Sequence, residues 1–121
     1  MANNFVTEGD VFTWTNSTGS AVVSGQVVKV GQTLGIAAVA IANGASGGVY
    51  LEGVFTVPKV TAAVIAQGDP VLWDVSAGKF DVKTATPATG DVSNAAIAFE
   101  AAGSSATTIK IHLDHRIGTV A

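Results

Sequence analysis

The sequence contains no cysteine. That excludes disulfides, thiolate metal sites and a cysteine nucleophile, and leaves the redox compartment open. Charge is also scarce: charged residues make up 12% of the 121 positions, about half the roughly 25% of a typical soluble domain. The six basic residues, Lys29, Lys59, Lys79, Lys83, Lys110 and Arg116, are scattered, and the net charge is -3. Nucleic acid is therefore excluded as a direct partner, because binding its backbone needs clustered cations. No long apolar run is present either. Positions 30–51 carry no charge, but glycine, asparagine and serine interrupt them, and the longest apolar piece, Ile36 to Ala42, falls far short of the about 20 residues of a membrane span. The N-terminal MANNFVTEGD lacks the basic region and apolar run of a secretory signal.

Reactive motifs are missing as well. There is no Gly-x-Ser-x-Gly elbow, and Gly78-Lys79 is followed by Phe80 where a phosphate-binding loop needs Ser or Thr. Most of the nine carboxylates sit in turns or at strand ends, where Asp serves local hydrogen bonds. Glu52 and Glu100 lie inside apolar strands and are expected on outward faces, or paired with a lysine across an interface. His112-Leu113-Asp114-His115 is the one metal-like cluster. On a strand His112 and Asp114 share a face and His115 points away, so at most two ligands converge and no metal or cofactor is read there. An enzyme finds no support.

Small and β-branched residues punctuated by glycine turns are what the chain does have. Val11 to Thr15 alternates as a half-buried strand with Phe12 and Trp14 on one face, and Asn16 to Ser20 is dense in turn formers. Gln26 to Val30 and Leu34 to Ala42 read as strands. The quartets Gly25-Gln26-Val27-Val28 and Gly68-Asp69-Pro70-Val71 share a glycine, a polar residue and a strand start, an echo of two related hairpin modules. Asn43 to Gly48 reads as a flexible loop. A single strand is expected from Val49 to Val57, ended by Pro58, then at most one turn of helix within Thr61 to Ala66. Pro70 to Val75 and Lys79 to Lys83 form a hairpin around Ser76-Ala77-Gly78. Thr84 to Asn94 reads as a long loop; Ala95 to Ala102 favours helix by its alanines but is short and lies between turns, and is taken as a strand; Thr107 to Leu113 is the cleanest strand of the second half, and Asp114 to Ala121 an extended tail. These elements predict one all-β domain over 1–121, a small barrel or β-sandwich of about eight to ten short antiparallel strands. It has at most one short helix, and flexible ends at 1–7 and 114–121.

The order LEGVFTVPK, a short Ala-rich segment, IAQGDPVLWDVSAGKF and a later AAIAFEAAGSSATTIKIHL resembles a family of phage and prophage capsid cement, or head-decoration, proteins over nearly the whole chain. The resemblance implies a structural virion protein, made in the bacterial host cytoplasm, that binds the major capsid protein on the outside of the assembled head. It further implies a homo-oligomer, a trimer being favoured, and no cofactor. A surface so poor in charge fits one that other subunits cover. Expected partner contacts are the N-terminal arm Asn3, Asn4, Phe5, Val6 and Thr7, the loop at Asn43 and Gly44, and the loop holding Pro87 and Asp91. The competing reading is a carbohydrate- or small-molecule-binding β module on the virion surface, with Trp73 and Tyr50 as exposed stacking platforms.

Overall fold

The computed structural model describes residues 11–114 and 116–121. Among them no residue is helical, and ten strands form two sheets. The first sheet contains β1 (Val11–Thr15), β2 (Val27–Val30), β3 (Thr33–Ala37) and β4 (Ser46–Tyr50), in the order β1-β4-β3-β2. The second contains β5 (Glu52–Pro58), β6 (Pro70–Asp74), β7 (Lys79–Asp81), β8 (Val92–Ala98) and β9 (Thr108–Asp114), in the order β5-β9-β8-β6-β7. The two-residue β10 (Thr119–Val120) is added beside β8. All strand pairs are antiparallel, and the all-β expectation holds as a small sandwich.

Several boundaries differ from the sequence reading. The expected strand from Val49 to Val57 is two strands, because the chain leaves the first sheet after Tyr50 and enters the second at Glu52. Leu51 is buried at the crossing, and Gly53 takes φ 129°, a conformation that side chains rarely adopt. Strand β4 claims Ser46, Gly47 and Gly48 from the expected loop, since a Cβ on Gly47 would stand 2.7 Å from Ile41 Cγ1. Close approach, not flexibility, is what that glycine provides. Strand β8 begins at Val92 and ends at Ala98, not Ala95 to Ala102. The expected tail is held down: Thr119 and Val120 pair with Ser93 and Val92, and the Gly118 N–H donates to Gln32 O at 2.7 Å. Strand β1 is less buried than its alternation predicts, with Phe12 44% exposed: among the described residues it is the end strand of its sheet, and Thr13 and Trp14 stand opposite Gly48 and Gly47, which offer no side chain to pack.

The hairpin echo in the sequence proves to be part of a whole duplicated module. In the first unit β1 pairs with β4, β4 with β3 and β3 with β2; in the second β5 pairs with β9, β9 with β8 and β8 with β6. Registers correspond: Phe12↔Val49 and Trp14↔Gly47 match Phe55↔Ile111 and Val57↔Ile109. Ala37↔Val49 matches Ala98↔Ile111, and Val27↔Ile36 matches Pro70↔Ile97. The isolated bridges Val22↔Ile41 and Ile65↔Ala102 correspond too. So do single hydrogen bonds, Gly25 N–H to Ala37 O with Gly68 N–H to Ala98 O, each 2.8 Å. The tripeptide Val-Phe-Thr occurs at the same place in both units, at 11–13 and 54–56. Where the first module has the turn Gly31-Gln32, the second inserts β7 and the loop up to Asp91.

Two apolar clusters follow from this arrangement. Val27, Leu34 and Ile36 of the first sheet join Val57, Trp73, Phe80, Val92, Ile111 and Leu113 of the second in one buried core. The opposite face of the first sheet buries Val28, Ala37 and Val49 with Val22, Ile41 and Leu51.

The duplication also explains an unusual backbone. No helix forms at Thr61 to Ala66; Ala62 instead sits at φ 80°, at the position that Gly19, φ 92°, holds in the first module. Its N–H donates to Ser104 O as Gly19 N–H donates to Asn43 Oδ1. A left-handed alanine carries strain of order 1 kcal/mol that glycine does not. Ala62→Gly is therefore expected to leave stability unchanged or raise it by up to about 1 kcal/mol despite glycine's larger unfolded-state entropy. Gly19→Ala should lower it by about 1 kcal/mol. Urea unfolding of both variants measures the contrast.

Candidate functional site

Four regions carry the residues that the sequence singles out. Asn3, Asn4, Phe5, Val6 and Thr7 lie outside the described residues. Asn43 and Gly44 are exposed at a tip and are held by the turn that follows β1. The Gly44 N–H donates to Asn16 O at 2.7 Å, and Asn43 Oδ1 accepts the Gly19 N–H at 3.0 Å. Asn16 is wholly buried, donating from Nδ2 to Ser20 O and Ile41 O and accepting at Oδ1 from the Thr18 N–H and hydroxyl. The tip is thus a tethered projection.

Pro87 and Asp91 share the loop between β7 and β8, with opposite roles. Pro87 is exposed. Asp91 is 2% exposed, and its carboxylate accepts the Val75 N–H at 3.1 Å and the Ala88 N–H at 2.9 Å. Gly90 and Asp91 exchange backbone bonds with Ala121, and Lys29 Nζ donates to Gly90 O at 3.3 Å. The Asp91 side chain therefore faces inward and anchors the loop from inside. A sequence shows only an aspartate among turn formers; the converging donors come from Val75 and Ala88, on either side of β7.

A cleft of about 800 Å³ is bounded by residues of both sheets. Trp14, Thr18, Gln26, Val28, Lys29 and Val75 are among its lining residues, with Lys29 the one charged side chain among the described residues. Sequence reasoning missed it, because its walls come from segments far apart in the chain. Trp73 reaches it too but is only 6% exposed and packs against Phe80 at a ring separation of 4.9 Å. That burial removes Trp73 as a stacking platform for a glycan. Tyr50, 42% exposed, leans on Phe55 at 6.0 Å.

Elsewhere the surface is weakly charged and partly apolar. Ile117, Val64 and Val23 are 78%, 64% and 63% exposed. Two ion pairs occur among the described residues, Lys83–Asp69 at 3.2 Å and Lys110–Glu100 at 3.4 Å, both at the surface and of small energetic weight. Glu52 and Glu100 are exposed, on outward faces as expected. Among the described residues no three of His, Asp and Glu gather to hold a metal, and no helix is long and apolar enough to cross a membrane.

Local hydrogen bonds in the β6–β7 turn tune one ionisation. Asp74 is held below its ordinary value of 3.8, chiefly by the backbone N–H of Ala77 and then by the Ser76 hydroxyl. A depressed carboxylate contributes stability that is complete above the ordinary carboxylate range and is lost as pH falls through the lowered value.

Fold and site together define a small all-β sandwich that presents tethered loops and a sparsely charged surface. The chain belongs to the phage cement protein family, whose pattern it matches over residues 6–113, and so to the proteins of the phage capsid. Among curated proteins none matches it.

Two outcomes follow from this geometry. Asp91→Ala removes the acceptor of two part-buried N–H groups and should lower stability by about 1–2 kcal/mol in denaturant titrations. In thermal melts, wild type should be more stable than Asp74→Asn near pH 6, and that difference should shrink as pH drops below about 3.8.

Proposed function

We propose that the protein binds the outside of the assembled phage head as a homo-oligomer, a trimer, seated over joins between major capsid subunits, and that it stabilises the shell. Membership of the cement family carries this reading. The scarcity of surface charge supports it, since a face that other subunits cover does not need the charges that keep free surfaces apart. The contacts are the tip at Asn43 and Gly44, the loop at Pro87, and the N-terminal residues Asn3, Asn4, Phe5, Val6 and Thr7. Tethering of the tip and the Pro87 loop lowers the entropy lost on docking, so short contacts suffice.

The stabilisation is one of mass action. A protein that binds the assembled shell and not its free subunits favours the shell by about 2.7 kcal/mol per site when present at 100 times its dissociation constant. Many sites on one lattice multiply a modest affinity. No reaction is assigned to the chain.

Co-sedimentation with shells prepared without the protein tests the reading. Saturation at a fixed ratio to capsid subunits, with shells that then withstand higher temperature, is the expected result. Deleting residues 2–7 should abolish binding while the melting transition persists; shells that stay bare with intact, folded protein would remove the proposal.

A further inference from the structure

The two modules differ at one edge. In the second, β7 pairs antiparallel with β6 through Leu72↔Asp81 and Trp73↔Phe80. On its other side Phe80 meets Lys59 in a parallel bridge, and the Val60 N–H donates to Phe80 O at 2.8 Å. Strand β7 thus fills the gap between β6 and the end of β5, burying Phe80 completely. In the first module β2 pairs only with β3 among the described residues. The gap between β2 and the end of β1 is the cleft.

Six consecutive residues, Ser24 to Lys29, line that cleft. Side chains alternate along a strand, so consecutive lining means that β2 presents its unpaired edge. The facing wall includes Trp14, Ser17 and Thr18, the counterparts of Val57, Val60 and Thr61.

We propose that the cleft receives an extended segment of the capsid shell as an added strand antiparallel to β2, completing the first module as β7 completes the second. The partner rests on the cement reading; the mode of docking rests on the duplication. Its chemistry follows from the counterpart. One large apolar side chain, in Phe80's place, enters beside Trp14 and Val28. An acidic residue stands opposite Lys29, as Asp81 stands opposite Leu72. Lys29 has no carboxylate within ion-pair distance among the described residues, its ammonium donating to Gly90 O.

The chain has no cysteine, so Ser17→Cys places a single thiol on the exposed rim for coupling to fluorescein maleimide. Unlabelled Ser17→Cys should co-sediment with shells as wild type does, and the labelled form should bind at least tenfold more weakly. Lys29→Glu should also weaken binding, by several fold, and a synthetic peptide of residues 77–83, in excess, should displace wild type. Labelled protein that binds shells normally would overturn the cleft as the docking site and leave the cement reading standing. Wild type that never binds shells would overturn that reading and this occupant with it. If labelling dissociates an oligomer in the absence of shells, the cleft holds a second copy and the proposal is overturned.

Discussion

Each module depends on one buried polar side chain placed where its first strand ends. A connection that folds back over a small sheet carries carbonyl groups into the interior, and each one left unpaired there costs on the order of 1–3 kcal/mol. Asn16 meets this in the first module: its Nδ2 reaches Ser20 O at 2.8 Å and Ile41 O at 3.0 Å, and its own N–H donates to Ala45 O. Lys59 occupies the same position in the second and is 1% exposed. Its Nζ donates to Val60 O at 2.8 Å and to Ala63 O at 2.5 Å, Ala63 being the counterpart of Ser20, and its N–H donates to Thr107 O. Two chemically unlike residues serve one geometry because both put donors at the end of a side chain. No carboxylate forms an ion pair with Lys59 among the described residues, so its ammonium is solvated by the backbone in place of water.

With the connections fixed from inside, the outer surface is free to be bland. The tip at Asn43 and the loop at Pro87 are fastened by bonds to Asn16, Gly19, Asp91 and Lys29 that draw nothing from the exterior. Such a body suits a protein that is repeated over a lattice. On the proposed reading it would change shape little on docking, and its sparse charge, 12% of residues, would limit repulsion between neighbouring copies. The second module is the more self-sufficient of the two, since its insertion supplies both β7 and the Asp91 anchor.

Local chemistry made much of this fold readable. Alternation marked Val11 to Thr15 and Thr107 to Leu113, one residue off the observed β9, a hairpin turn separated β6 from β7, and Pro58 closed β5 where proline must. The family was legible too, in the order of strands and turns. What stayed hidden depends on tertiary placement. Leu51 carries no breaking residue, so the change of sheet there leaves no trace in an apolar run. Val92 to Asn94 resembles loop by composition and becomes strand because β6 and β10 flank it. Asp91 reads as a turn former until Val75 and Ala88 converge on it, and Lys59 reads as a surface lysine until the core closes over it. Only a four-residue echo of the duplication was visible, because the inserted β7 segment displaces the second half of the repeat. At the candidate contacts, residue type alone could not tell exposed Pro87 from buried Asp91.

Since the first module is built from residues 11–50 without a break, all its strand pairs can close before the second has left the ribosome. Its longest pairing, Val11 with Tyr50, needs a shorter loop than Glu52 with Asp114 in the second, so closure entropy favours it as the earlier unit to order. The face carrying Val27, Leu34 and Ile36 is the surface against which β8 and β9 pack, and the Gly118–Gln32 bond ties the end of the chain back to the first module. Vectorial synthesis thus gives an order of assembly to two halves that geometry alone would leave equivalent.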